Sequence, residues 1–326
     1  MKKYDIVIIG GGPVGLFAAF YAGRRGMSTL IIEASDTLGG QPNTIYSEKW
    51  ILDIPGQLRV TGYDLTKRLI EQAQSPYLTT LLNTKVISCQ GSLEQGFTIT
   101  CQNVQDNILA SSVLIATGVG EITPQRIGLP REDTLKGVHY YLQSKSIITG
   151  KKVVVLGGGD SALDWADFAD GVASETHLVH RRDEFRAQEQ SVRRLMASNV
   201  NLHLNGQVAA LHGDDQLKGV DIQHKDSQLK HIPCDVLVVS FGFKIQLGGL
   251  ENWGLTIEQN GVVVDNTLET NIPGIFAAGD VAHTPGLGNS KLIAIGFGQA
   301  TIAVNAAKTR IDPKAKFFPG HSTNWK

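Results

Sequence analysis

The chain has 326 residues, 42% of them hydrophobic, with 30 lysines and arginines against 31 aspartates and glutamates for a formal charge of −1. That length admits two domains, the charge balance offers no global field for nucleic acid, and nothing approaches the ~18 consecutive apolar residues of a membrane span. Met1-Lys2-Lys3 precedes an apolar run too short for a signal peptide, so the start reads as the first core strand of a cytoplasmic protein.

In chain order, the first predicted unit is a strand over 4–9, a glycine turn, a helix over 14–25 and a strand over 28–32. The turn Gly10-Gly11-Gly12-Pro13-Val14-Gly15 has the form of a dinucleotide fingerprint. Its glycines let backbone close on a pyrophosphate, and the helix N-terminus presents free N–H groups and positive dipole charge. Gly10, Gly12, Pro13 and Gly15 are therefore candidate binding residues. Counting 23 positions on from Gly10, at the end of the next apolar run, gives Glu33. A carboxylate there accepts hydrogen bonds from a ribose diol and repels a 2′-phosphate, so this site predicts an adenosine with a free ribose, as in FAD. Arg24-Arg25, closing the helix, reads as helix surface.

Two strand-like stretches, 85–90 and 97–102, predict a hairpin that carries Cys89 and Cys101 near each other. With Cys234 they form an odd, scattered set lacking any C-x-x-C or metal-ligand spacing. They read as core thiols in a reducing compartment, and no metal is expected. Val113-Leu114-Ile115-Ala116-Thr117-Gly118 is a buried strand that ends in a turn leaving the first domain.

The second unit repeats the first: strand 152–156, the turn Gly157-Gly158-Gly159-Asp160-Ser161-Ala162, helix 161–169 and strand 176–179. Ala162 replaces the last glycine, which the fingerprint allows, and Gly157, Gly159, Asp160 and Ser161 are its candidates. The position 23 beyond Gly157 is His180, followed by Arg181, Arg182 and then Arg186. A basic run where the ribose-specificity residue must sit favours the 2′-phosphate of NADP(H). Arg193-Arg194 reads as helix surface. After a second exit strand over 235–242, Ile272-Pro273-Gly274-Ile275-Phe276-Ala277-Ala278-Gly279-Asp280 is a strand delivering Asp280 to a turn before a helix over 292–307. Asp280 there suits either a hydrogen bond from a ribityl hydroxyl or a helix N-cap. The fold class is α/β: two Rossmann-like dinucleotide-binding domains of the three-layer FAD/NAD(P)-binding type, one inserted in the other. Residues 1–118 and 244–326 form the FAD-binding domain and 119–243 the NADP(H)-binding domain.

The two fingerprints, the turn Gly39-Gly40-Gln41, the exit Ala116-Thr117-Gly118, the segment His180-Arg181-Arg182-Asp183-Glu184-Phe185-Arg186-Ala187 and the turn Ala278-Gly279-Asp280 resemble low-mass thioredoxin reductases over nearly the whole chain. That family's redox C-x-x-C is missing: Gly137-Val138 is followed by His139-Tyr140-Tyr141-Leu142-Gln143-Ser144. The tail Phe317-Phe318-Pro319-Gly320-His321-Ser322-Thr323-Asn324 resembles that of thioredoxin-reductase-like ferredoxin–NADP reductases, in which an aromatic extension from the partner subunit covers the flavin.

This resemblance implies a homodimeric enzyme with FAD and NADP(H). Hydride passes from NADPH to flavin N5, and electrons then leave singly and reversibly to ferredoxin or flavodoxin. It places Gln41 and Asp280 at the pyrophosphate and ribityl chain, and the Val86 backbone at the adenine edge. Tyr46, with Trp50 as rival, stacks on one flavin face and His321 on the other, anchored by Phe317-Phe318. Ser322 or Thr323 brings a hydroxyl near the reactive nitrogen, and Ile122 lies near the ring. The helix over 292–307 points its N-terminus at the flavin, and a hinge rotation brings the two nucleotides together. Two other readings stay open: a disulfide reductase using a cysteine elsewhere, and a non-catalytic flavoprotein that senses NADP(H).

Overall fold

The computed structural model describes residues 3–142, 144–225, 229–286, 291–321 and 323. The chain divides into two compact units, Met1–Glu121 with Ile245–Lys326, and Ile122–Lys244.

The first unit is built on Lys3–Ile9, whose Ile6, Val7 and Ile8 are fully buried. A strand buried on both faces needs apolar side chains in succession, which suits a parallel sheet covered on each side. Thr29–Ile32 pairs with it in parallel on one edge and Ile108–Ile115 on the other. Leu78–Leu81 extends the sheet beyond Thr29–Ile32. Ile108–Ile115 serves two partners: its early residues pair with the antiparallel hairpin Val86–Ser92/Gly96–Cys101, and Val113 to Ile115 pair in parallel with Ile275–Ala277. The register matters most for function. Ile9 lies beside both Ile32 and Ile115, and Ile115 lies beside Ala277. The glycine turn, Glu33, the exit at Ala116 and the Asp280 turn therefore all leave the sheet at one edge, the carboxyl ends of the parallel strands, where α/β sheets bind ligands.

The second unit repeats this design with a five-stranded parallel sheet ordered Val138–His139, Val236–Val239, Lys152–Leu156, Glu175–His180 and Asn201–Leu204. Leu156 lies beside Val179 and Val239, so the second glycine turn, His180 and Ser240 share an edge. Helix Asp160–Asp170 buries Ala162, Leu163, Trp165, Ala166 and Ala169 against this sheet's core. A three-stranded antiparallel sheet follows, Gly206–Gly213, Leu217–His224 and Leu229–Pro233.

Helix bounds differ slightly from the sequence expectations: Pro13–Arg24, Asp160–Asp170 and Ile293–Ile311. The last extends beyond 307 because Lys308 and Arg310 suit a helix C-terminus, where they complement its dipole. Cys89 and Cys101 do lie in one hairpin, but Cys89 faces Ile99 and Cys101 faces Val86 across it. All three cysteines are free and buried.

Candidate functional site

In the first unit the glycines are where backbone must pass closely. Gly10 has φ +108°, and a Cβ there would meet the Ala116 carbonyl oxygen at 2.4 Å; a Cβ on Gly15 would meet the Gly10 oxygen at 1.9 Å. Helix Pro13–Arg24 starts at Gly12 with no side-chain cap and no acidic residue in its first turn, which leaves its N–H groups for an anion. Glu33 is held in place by two backbone donors, Gly11 N–H to Oε2 at 2.7 Å and Ser35 N–H to Oε1 at 2.8 Å. A cavity of about 300 Å³ opens beside it, lined among others by Gly10, Glu33, Lys85, Val86 and Thr117. The Thr117 hydroxyl is buried there without a hydrogen-bond partner among the described residues. An orphaned polar atom at the rim of a glycine cradle fits a bound dinucleotide.

A second group of candidates gathers at the same sheet edge. Gln41 opens the short helix Gln41–Thr44, and its amide nitrogen would lie 3.7 Å from a Cβ on Gly118. Burial, then the charges of Asp280 and Asp53, push the Tyr46 phenol up to about 12. Burial also raises the Asp280 carboxyl above its usual range, against the opposing charge of Lys291. The Asp280 turn is tied to the last helix, since Gly279 N–H donates to Gln299 Oε1 at 2.8 Å. Sequence reasoning missed Gln299, which carries no motif. Trp50, the rival of Tyr46, is 52% exposed and has the Arg59 guanidinium over its ring at 4.5 Å.

The tail corrects two expectations. Phe317 and Phe318 are 44% and 60% exposed, so they do not anchor it by apolar burial within the chain. The anchor is Arg25, which is therefore more than helix surface. Its guanidinium donates to the Lys316 carbonyl at 2.8 Å, the Phe317 carbonyl at 3.2 Å and Asn305 Oδ1 at 2.7 Å. Arg25 caps the far end of the 12-residue helix that begins at Gly12, about 18 Å from the phosphate turn. His321 packs its ring edge-on to Phe318 at 5.3 Å, and Thr323 is exposed. Ser322 lies outside the described residues. Ile122 belongs to the strand Glu121–Pro124 as the first residue of the second unit.

In the second unit a cavity of about 770 Å³ is lined by Gly157, Gly159, Asp160, Ser161, His180, Arg181, Arg182 and Arg186, joined by Arg126 and Ser240. Gly157 has φ +144°, and a Cβ there would strike the Ser240 carbonyl oxygen at 2.5 Å. The Ser240 hydroxyl is buried and, among the described residues, unpartnered. Asp160 is committed to local structure, accepting from Gln188 N–H at 2.8 Å. His180 departs from the cationic role that its position suggests. Its ring lies under Gly158, where a Cβ would come within 2.2 Å of it, stacks on Phe185 at 5.5 Å and bonds the Glu184 carbonyl at 3.0 Å. Burial, reinforced by the charges of Arg182, Arg181 and Arg186, holds it below the usual imidazole range. It is a neutral prop for the turn, and the arginines alone carry the charge.

Arg126 was missed because nothing in its local sequence marks it. It is oriented by buried Glu132, which accepts from Arg126 Nε at 2.7 Å, from the N–H groups of Gly128 and Leu129 at 2.6 and 3.0 Å, and from the Tyr140 hydroxyl. Burial works to raise Glu132, but these donors outweigh it and its carboxyl sits below the usual range. Tyr140 thus occupies the segment after Gly137-Val138 with a structural hydrogen bond.

A family model for pyridine nucleotide-disulphide oxidoreductases matches residues 4–307. The chain is 43% identical over 326 residues to a protein named ferredoxin–NADP reductase 2 from Shouchella clausii, covering 98% of this chain and 97% of that one. A ferredoxin–NADP reductase from Sulfurisphaera tokodaii is 40% identical over 329 residues, covering 99% and 98%. Among solved structures, the thioredoxin reductase of T. acidophilum superposes with a TM-score of 0.78 at 26% identity, covering 95% of this chain and 99% of that one.

Proposed function

The chain belongs to the pyridine nucleotide-disulphide oxidoreductase family, and from that premise we propose that it is a flavin-dependent ferredoxin–NADP reductase. The observation that carries this reading is a pair of phosphate turns with opposite chemistry beside them: Glu33, braced by two N–H groups, in one unit, and Arg181, Arg182 and Arg186 in the other. FAD fits the first site and NADP(H) the second. When bound, FAD supplies the interconversion of a hydride with two single electrons.

The protein's own groups bind and orient. Gly10, Gly12, Pro13 and Gly15 bring backbone N–H donors to a pyrophosphate, Glu33 accepts from ribose hydroxyls, and Thr117 offers its free hydroxyl. Asp280 and Gln41 serve the ribityl region, the Val86 backbone the adenine edge, and Tyr46 one face of the flavin. Gly157, Gly159 and Ser161 receive the coenzyme pyrophosphate, while Arg181, Arg182 and Arg186 hold its 2′-phosphate. We read the tail residues His321 and Thr323 as supplied to a second copy of the chain, which makes a homodimer the working unit.

Disulfide exchange requires an accessible thiolate. Burial pushes Cys89, Cys101 and Cys234 up to about 12, about 11 and about 12, so none is a relay. Ferredoxin is the partner that the relatives' names support; flavodoxin is a second acceptor of the same one-electron class. The test is anaerobic: NADPH should bleach the flavin absorbance of the purified protein, and oxidised ferredoxin should restore it. FMN on heat release, or bleaching that ferredoxin cannot reverse, would contradict this reading.

A further inference from the structure

We propose that the antiparallel sheet of the second unit carries a binding site for one borderline divalent metal ion of the Zn²⁺ type, held by His212, Asp221 and His231. The three residues come from three adjacent strands, Gly206–Gly213, Leu217–His224 and Leu229–Pro233, and none of them lines the coenzyme cavity. The register brings them together. Asp221 lies directly opposite Ala210 on one side and His231 on the other, while His212 lies opposite Gly219. Side chains alternate along a strand, so His212, Asp221 and His231 share one face. Leu211, Val220 and Ile232 point to the other face and pack into the hydrophobic core.

The donor atoms already converge. His212 Nε2 is 2.8 Å from Asp221 Oδ2, His231 Nδ1 is 2.7 Å from Asp221 Oδ1, and all the ligand atoms lie within 4.8 Å of one another. Around a tetrahedral ion with bonds of about 2.0–2.1 Å, donor atoms sit ~3.3 Å apart, so the side chains need only small shifts to receive it. The imidazoles are also steered. A Cβ on Gly219 would come within 2.7 Å of the His231 ring, so the glycine is what lets that ring lie along the sheet toward His212. The two rings meet nearly edge to face at 5.1 Å.

Two imidazoles and a carboxylate suit Zn²⁺, Ni²⁺ or Cu²⁺ over the hard cations, which prefer all-oxygen shells. Three protein ligands leave a coordination position for water. In the metal-free site His212 Nε2–H and His231 Nδ1–H donate to Asp221. The ion takes the place of these two protons, each neutral ring then carrying its single proton on the other nitrogen and any second proton passing to solvent, and it cross-links three strands. The ligands are spread over 20 positions with no motif spacing, so only the strand register reveals them.

The test is calorimetric titration of metal-stripped, full-length protein carrying its flavin with Zn²⁺ alone. The wild type should bind one ion per chain saturably and gain thermal stability. Asp221→Asn, and separately His212→Gln with His231→Gln, should weaken binding at least about tenfold, the loss that even an outer partner of a ligand causes, and should abolish the thermal shift. Absence of saturable binding, or equal affinity in wild type and the double variant, would overturn the proposal. Because the proposal does not rest on the reductase reading, NADPH-dependent bleaching measured on the same samples fails or succeeds independently of it.

Discussion

Thr117 and Ser240 sit at the exit strands of their respective units, each with a buried hydroxyl that has no partner among the described residues. A buried polar group left unpaired costs about 1–3 kcal/mol, so removing it isosterically should leave the ligand-free fold as stable or slightly more so. Thr117→Val should therefore keep its thermal midpoint without cofactor, yet bind FAD about two- to tenfold more weakly, the worth of one hydrogen bond. Titration of deflavinated protein with FAD reads this directly, and unchanged affinity would remove Thr117 from the site. At the other site, replacing Arg181 and Arg182 by Ala should weaken NADPH at least about tenfold, since a charge-assisted bond is worth roughly 1.5–3 kcal/mol, while NADH is nearly unaffected. Equal losses for both coenzymes would make the pair structural. Glu33 and these arginines stood out in the sequence as candidates because one helix and one strand fix the distance from a phosphate turn to the ribose-specificity position. His180 occupies the corresponding position but is held against Phe185 and Gly158, beneath the glycine turn, and spacing alone carries no information about such packing. Arg25 was misjudged for a related reason: its partners, Asn305 and the carbonyls of Lys316 and Phe317, are some 280 residues or more away in sequence.

Among the elements, the central parallel strands were readable because strands covered on both faces need continuous apolar runs, as in Val153 to Leu156 or Val113 to Ile115, whereas the less buried outer strands Leu78–Leu81, Val138–His139 and Asn201–Leu204 carry no such run. The antiparallel sheet of the second unit was not. Bulges between Val208 and Ala210 and between His212 and Gly213 break its alternation, so the period-two signal never accumulates. One pair of strand residues gives a pH prediction. His177 Nδ1 lies 3.0 Å from His203 Nε2 between neighbouring strands. Burial, then the proximity of His177, Lys230 and His224, pushes His203 down to about 4. An unfolded histidine titrates near ~6.5, so between these values the unfolded chain binds the extra proton. Stability is full above the unfolded value and declines as pH falls toward about 4. His203→Gln should flatten that part of the thermal-midpoint curve, and a slope identical to wild type would show that His203 does not cause it.

For the whole molecule, the sequence motifs sufficed to expect FAD and NADP(H) and to mark the missing redox pair, while the fate of the tail depends on contacts with no local signature. Arg25 grips the tail's carbonyls, and Phe317 and Phe318 remain exposed. Arg25→Ala should speed limited proteolysis after residue 315 and alter flavin absorbance and turnover with little loss of bound FAD; a tail cleaved at the wild-type rate would contradict the grip. Docking of an acidic carrier should weaken with added salt, because its encounter is steered by exposed charge. The central claim is that electrons leave this protein singly, without a thiol relay, and one measurement addresses it: steady-state NADPH oxidation by the purified protein, side by side with ferredoxin and with thioredoxin as acceptor. The account predicts sustained turnover with ferredoxin and none above background with thioredoxin. Robust thioredoxin reduction with no transfer to ferredoxin would contradict it.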